Sequence, residues 1–383
     1  MDLTLQSLTQ LAETEASGLL DLTSFESEIL SRLIEALNSS GRLNSAGIGF
    51  HHQRLVEILK NRIAIEQWFK IHPEINEEHI SDPIVVVGLP RTGTTLLHRT
   101  IAADSRLLAP LWYEVRNPVP LSESFVESDT RIPKAETEVA AILRASPELA
   151  AIHPMDATAP DEEIMLLEHS FMSTVPECYA YLPDFGNWLY EQDQTPGYEY
   201  LYRLLQFLQW QKRQRGLTGT RWLLKTPHHL HYPRALAAVF PRAKVVQTHR
   251  HPLDVIPSYG SMMCALAAPF TDHLDRAAMT AHWAHKWQCG LNATLAARAD
   301  EGLSLDYLDL AFADLLADPK SQIEHVYAFI NEDLTERALE EMASWQELNT
   351  RESRPEHHYT LEEFGLSENL INEQFSTYIG HYF

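Results

Sequence analysis

Cysteine is scarce: Cys178, Cys264 and Cys289 are the only three in 383 residues, widely spaced and without a Cys-x-x-Cys. That excludes a disulfide framework and a cysteine zinc site, and it fits a reducing compartment. No apolar run approaches the roughly 18 residues that a membrane-spanning helix needs. No Lys or Arg precedes Arg32, so no signal or transit peptide is expected. The expected location is cytoplasmic, with no membrane partner. Positive charge is also short, 30 Lys and Arg against 53 Asp and Glu, for a net charge of −23. Nucleic-acid binding is dominated by phosphate neutralisation, which this balance disfavours.

Locally the missing sign is the opposite one. From Tyr200 to Leu253, 54 residues, there is no Asp or Glu, while ten cations fall in the same window. They are Arg203, Lys212, Arg213, Arg215, Arg221, Lys225, Arg234, Arg242, Lys244 and Arg250. Pro83 to Ala103 is acid-free too and carries Arg91 and Arg99. In an acidic chain, two acid-free basic segments are expected to hold a polyanionic small molecule.

What is present is an ordinary enzyme-like composition, 45% hydrophobic and 22% charged. The length exceeds the ~250 residues of one simple core, so a main domain with an accessory part is expected. Residues 1–80 read as a helical N-terminal extension packed on the core, with helical spacing over Ser24–Leu37 and His52–Phe69. Residues 81–383 read as an α/β domain, of which about 120–215 is mostly helical and expected to form an acceptor pocket or lid. Asp161-Glu162-Glu163 suits a helix N-terminus within a helical 135–170 stretch. Nine aromatics between Phe171 and Tyr202 fit either a pocket lining or a core.

The organising stretch is Pro83–Asp104. Ile84-Val85-Val86-Val87 is a charge-free β-branched run, expected to be a strand buried on both faces. Gly88 to Gly93 then turns into a helix beginning at Thr94. Strand, glycine turn and helix N-terminus converge free N–H groups and a dipole on one point, which makes an anion site. The spacing is that of a P-loop, with a hydroxyl at Thr95, but Thr94 stands where the lysine belongs and Arg91 comes three residues earlier. Trp222-Leu223-Leu224 ending on Lys225, and Lys244–Thr248 running into Arg250, read as further strands around a helix. Strand, helix and strand in about 30 residues describe a parallel sheet. Ser304–Leu308 is a weaker strand. Parallel strands present their carboxyl ends on one edge, where ligands bind. Arg250, with Ser258 eight residues later, would hold a second anion there. Two separated anion sites imply a nucleotide bisphosphate rather than ATP.

These residues resemble the sulfotransferases that use 3′-phosphoadenosine 5′-phosphosulfate (PAPS), in particular a bacterial-type branch with a helical N-terminal extension. Gly88–Thr95 resembles the family's 5′-phosphosulfate loop, with Arg91 as its cation. Arg250 to Ser258 is similar to its 3′-phosphate motif, and Lys225-Thr226-Pro227-His228-His229-Leu230 to the lysine-bearing strand end between them. The resemblance implies an α/β fold with a P-loop-like parallel sheet flanked by helices. It implies PAPS as co-substrate, without a metal, held by Arg91, Thr92, Gly93, Thr94, Thr95, Leu96, Arg250 and Ser258. It also implies sulfuryl transfer to a hydroxyl or amine of a small-molecule acceptor, with Arg91 and Lys225 stabilising the departing phosphate. Two general bases compete, Glu114 and His228, and Glu114 is favoured from its place about 20 residues past the loop cation. His251 departs from the family's usual Asp or Asn, and Arg351 or Arg354 is the candidate for a missing C-terminal basic motif. The rival readings are a P-loop-type kinase or NTPase, and a non-catalytic nucleotide-binding protein on the same fold.

Overall fold

The computed structural model describes residues 3–122, 124–125, 128–147, 149, 155–349 and 360–383; Arg351 and Arg354 lie outside them. Its first strand, β1 (Ile84–Gly88), is buried throughout. Val85 and Val87 enter one apolar cluster and Ile84 and Val86 another, one on each face. Side chains alternate across a strand, so an uninterrupted apolar run is stable only between two covered faces. Four more strands join it: β2 (Leu107–Leu108), β3 (Arg221–Lys225), β4 (Lys244–His249) and β5 (Asp306–Ala311). Their order is β2-β3-β1-β4-β5, and every pair is parallel. Val86 lies opposite Lys225 and Gly88 opposite Thr248. The carboxyl ends of β1, β3 and β4 therefore share one edge, as the sequence implies.

Three helices precede the sheet: α1 (Leu5–Ala16), α2 (Ser24–Ser39) and α3 (Ser45–Ile71). Thr4, Thr23 and Asn44 cap them, each accepting from an N–H three residues on. The long α3 is apolar on two sides. Leu55, Leu59 and Ile63 pack with α1, α2, Phe171, Leu182 and Phe185, while Ile65 and Phe69 enter the main core. This two-sided burial fixes the N-terminal helices to the rest of the chain. Truncating a fully buried leucine such as Leu59 to alanine costs roughly 2–5 kcal/mol in comparable sites.

The remaining helices that matter here are α4 (Thr94–Ile101), α5 (Trp112–Arg116), α6 (Arg131–Ala145), α7 (Thr195–Gln214), α8 (Pro252–Ala267), α9 (Arg276–Arg298) and α10 (Ser376–Tyr382). The stretch expected to be helical from 135 to 170 differs. Pro160 bridges Leu111 instead, and only a short helix, Ile164–Leu167, follows the three acids. Most of the aromatics between 171 and 202 are packing residues. Phe171, Phe185 and Tyr198 are at most 3% exposed. Among the described residues, no helix is long and apolar enough to cross a membrane.

Candidate active site

The chain turns from β1 into α4 within five residues, and two glycines make this possible. A Cβ at Gly88 would meet Thr248 Oγ1 at 2.4 Å; Gly93 has φ 86° and a Cβ there would meet the Phe312 ring at 2.9 Å. Thr92 anchors the turn: its Oγ1 donates to the Leu89 carbonyl at 2.6 Å and lies 2.6 Å from Thr248 Oγ1. It is fully buried, so it serves the loop's shape. Gly93 caps α4 without a side chain, which leaves the first-turn N–H groups and the positive dipole end for a ligand. Arg91, Thr94 and Thr95 line a cavity beside this helix start, whereas the Leu96 side chain is 37% exposed.

The second anion candidate meets the first. Arg250 Nη1 donates to the Arg91 carbonyl at 3.2 Å, and its guanidinium lies 4.5 Å over the Phe312 ring. Asp254 approaches its Nε at 3.4 Å. Ser258 sits two turns into the same helix, α8, and is 7% exposed.

Lys225 ends β3 and is 2% exposed, with Nζ 2.6 Å from Glu162 Oε1. Its backbone N–H donates to Glu163 Oε2 at 2.8 Å. Glu163 Oε1 lies 2.6 Å from His229 Nε2, and His229 Nδ1 lies 2.6 Å from the Tyr198 hydroxyl. The two adjacent acids thus divide the work. Glu163 fastens the strand end and is 0% exposed, while Glu162 lines the cavity. Burial raises the Glu162 carboxyl above its ordinary range, against the pull of Lys225.

Neither base expected from sequence reaches that cavity. Glu114 is 3% exposed; both its oxygens accept from Lys212 Nζ at 2.7 Å and Oε2 also accepts from the Leu111 N–H at 2.9 Å. Trp112 and Arg116 of the same helix line the cavity; Glu114 turns away to pin α5 to α7. His228 is 1% exposed, has no partner for either ring nitrogen, and packs 4.8 Å from the Tyr232 ring. Burial pushes it well below the usual imidazole range, so it stays neutral at pH 7. Glu162 is a cavity-lining carboxylate, paired with Lys225, that sequence reasoning did not single out. Its signal was the acid triplet, read there as a helix start, because nothing local reveals that β3 delivers Lys225 to it.

The cavity has a volume of about 160 Å³. Its lining includes Arg91, Thr94, Thr95, Asp161 and Glu162, and the remainder is mostly apolar, including Met155, Met165, Met262, Met263, Tyr259 and Trp287. Among the nine aromatics between 171 and 202, Tyr179 contributes to it. The acid-free window, by contrast, does not form a basic patch. Each of its ten cations meets a carboxylate, as Arg213 does Glu78, Arg221 Glu332 and Arg242 Asp82. Only Lys225 and Arg250 of the ten stand at the carboxyl ends of the strands.

Known proteins resemble this chain in sequence and fold. A 27% identity over 273 residues links the chain to omega-hydroxy-beta-dihydromenaquinone-9 sulfotransferase Stf3 of Mycobacterium bovis and of Mycobacterium tuberculosis. The match covers 66% of this chain and 64% of those relatives' length. The crystal structure of sulfotransferase STF1 from M. tuberculosis superposes with a TM-score of 0.83 at 28% identity, covering 98% of both chains. That of STF9 from Mycobacterium avium gives 0.86 at 23% identity, over 100% of this chain and 97% of the other, and shows the same fold. The model of the sulfotransferase family matches residues 83–336, a span that includes all five strands of the sheet. By this match and by the loop, lysine strand end and arginine motif it contains, the chain belongs to the sulfotransferase family.

Proposed function

We propose that this protein moves a sulfuryl group from PAPS to a hydroxyl or amine of an apolar small molecule, with Glu162 as general base. One observation carries the reading: Arg91, the start of α4 and Glu162, which is paired with Lys225, line one largely apolar cavity. Sulfuryl transfer breaks the bond from sulfur to the phosphate oxygen and forms one to the acceptor oxygen or nitrogen. Negative charge grows on the departing phosphate while the acceptor loses a proton. Arg91, Lys225 and the α4 N–H groups are fixed donors for the first charge. Glu162 takes the proton, which its raised affinity for protons favours. Arg250 and Ser258 hold the 3′-phosphate in this reading. It gives Glu114 and His228 structural roles.

The acceptor class follows from the cavity. An engineered cavity of about 150 Å³ lined by apolar side chains takes a benzene ring. A volume of about 160 Å³ therefore suits one ring or a short alkyl segment of the acceptor. The name of the curated relative, a hydroxylated dihydromenaquinone sulfotransferase, describes an apolar acceptor with a hydroxyl, and the lining here supports that class.

The test is incubation with PAPS and a panel of phenols, alkanols and amines, with mass spectrometry for the gain of a sulfonate. Glu162→Gln is expected to lower kcat about 10²–10⁴-fold with affinity for 3′-phosphoadenosine 5′-phosphate (PAP) nearly unchanged. Full activity in that variant would return the base to Glu114 or His228.

A further inference from the structure

The apolar cavity has a second chamber behind its wall. Phe50, Arg116 and Tyr179 line the cavity on one side and also line this chamber on the other. The chamber measures about 20 Å³, room for a single water. Aliphatic side chains of the N-terminal helices, Leu33, Leu55 and Ile58, form much of its lining. Its polar wall is built as well: Arg54 and Glu168 pair at 2.5 Å, and His51, 4% exposed, has an Nε2 without a hydrogen-bond partner.

The partition between the two spaces is aromatic. The Phe50 ring stacks on Phe270 with centroids 4.4 Å apart and meets Tyr179 at 4.8 Å. Of the shared wall residues, Arg116 is held by Glu138 at 2.9 Å, whereas the Phe50 ring has only packing contacts to hold it. Phe50 lies on α3, so the N-terminal helices reach the acceptor cavity through this one ring.

We propose that Phe50 determines acceptor specificity: its ring closes the acceptor cavity against the second chamber and so sets how long an apolar acceptor the enzyme takes. The proposal rests on the sulfotransferase reading for the identity of the cavity. Removing the ring joins the chambers, and an apolar chain then continues between the aliphatic residues of α2 and α3. Each further buried methylene strengthens binding roughly fourfold.

Titration calorimetry of the full chain with the linear 1-alkanols from butanol to dodecanol, with and without PAP, reads this length directly. In the unmodified protein the gain per methylene stops once the cavity is filled. In Phe50→Ala it continues for several more methylenes, and in Phe50→Trp it stops earlier, with PAP affinity the same in all. Phe50→Leu, which keeps a buried apolar side chain, extends the series by less and serves if the alanine variant does not fold. The same stopping length in the unmodified protein and both shortened variants overturns the proposal. So does the failure of every form to bind any alkanol. Failure of PAP to bind instead defeats the sulfotransferase reading, while the alkanol series still decides the role of Phe50.

Discussion

Glu114 and Glu162 each meet one lysine, at 2.7 and 2.6 Å, yet only Glu162 lines the cavity. Lys212 is 5% exposed on its side chain, pairs with Glu114 and lies 5.9 Å over the Trp222 ring. Breaking such a buried pair from one side typically costs about 3–5 kcal/mol, since the remaining charge is stranded. Glu114→Gln is therefore expected to lower the denaturant midpoint markedly while the folded fraction keeps its kcat, measured by urea titration beside the sulfonate assay. Glu162→Gln is expected to lower kcat and, because it strands Lys225 at 2% exposure, to lower the midpoint as well. Because burial lifts the Glu162 carboxyl, the acid limb of the kcat profile should lie above the ~4.3 of an ordinary glutamate and vanish in Glu162→Gln. A limb that persists in that variant assigns the titration elsewhere. Arg250→Ala should weaken PAP much more than 5′-AMP, measured by calorimetry; equal losses would contradict a 3′-phosphate role.

At the scale of elements, β1, β3 and β4 were legible because a buried parallel strand is written as a short apolar run ending at a turn, and the loop because glycine is forced at Gly88 and Gly93. The strand β2 was not, since two residues, Leu107 and Leu108, pair only with Arg221 and Trp222 far along the chain. Of the cavity, only Arg91, Thr94 and Thr95 were legible. Its apolar body combines α3, α5, α6, α8 and α9, and no local pattern states which helices will face one another. The same holds for α10, which covers the end of β4. Tyr378 hydroxyl lies 2.8 Å from His249 Nδ1, the Tyr382 ring stacks on His249 at 3.8 Å, and Asp309 takes Nε2 at 2.8 Å. Tyr378→Phe leaves that buried nitrogen unpartnered, a cost of about 1–3 kcal/mol. Thermal unfolding should report the loss, and because His249 precedes Arg250, PAP affinity should fall with it. Unchanged PAP binding would restrict α10 to a stabilising role.

The whole molecule carries several histidines that folding keeps neutral. Burial lowers His51 to about 4 and His231 to about 3, and it holds His98, His169 and His228 well below the ordinary value. Between those values and ~6.5 the unfolded chain binds protons that the folded chain refuses, so stability falls as pH drops below ~6.5. Five such groups act in the same direction, so their losses add as pH falls. Acid unfolding followed by circular dichroism should therefore begin near pH 6 and be steep. A flat signal to pH 4 would show that these imidazoles are protonated in the folded state. The paired cations of the acid-free window belong to this scale as well, because their carboxylates come from segments before and after it.

The central strand also has a history in time. Of the five strands described, β1 is made first, and Ile84 finds its neighbours only at Leu223 and Lys244. At synthesis rates of ~5–20 residues per second, five consecutive apolar backbone positions wait on the order of ten seconds before either edge can be paired. Through that interval Ile84-Val85-Val86-Val87 is an apolar strand whose two partners, β3 and β4, have not yet been made.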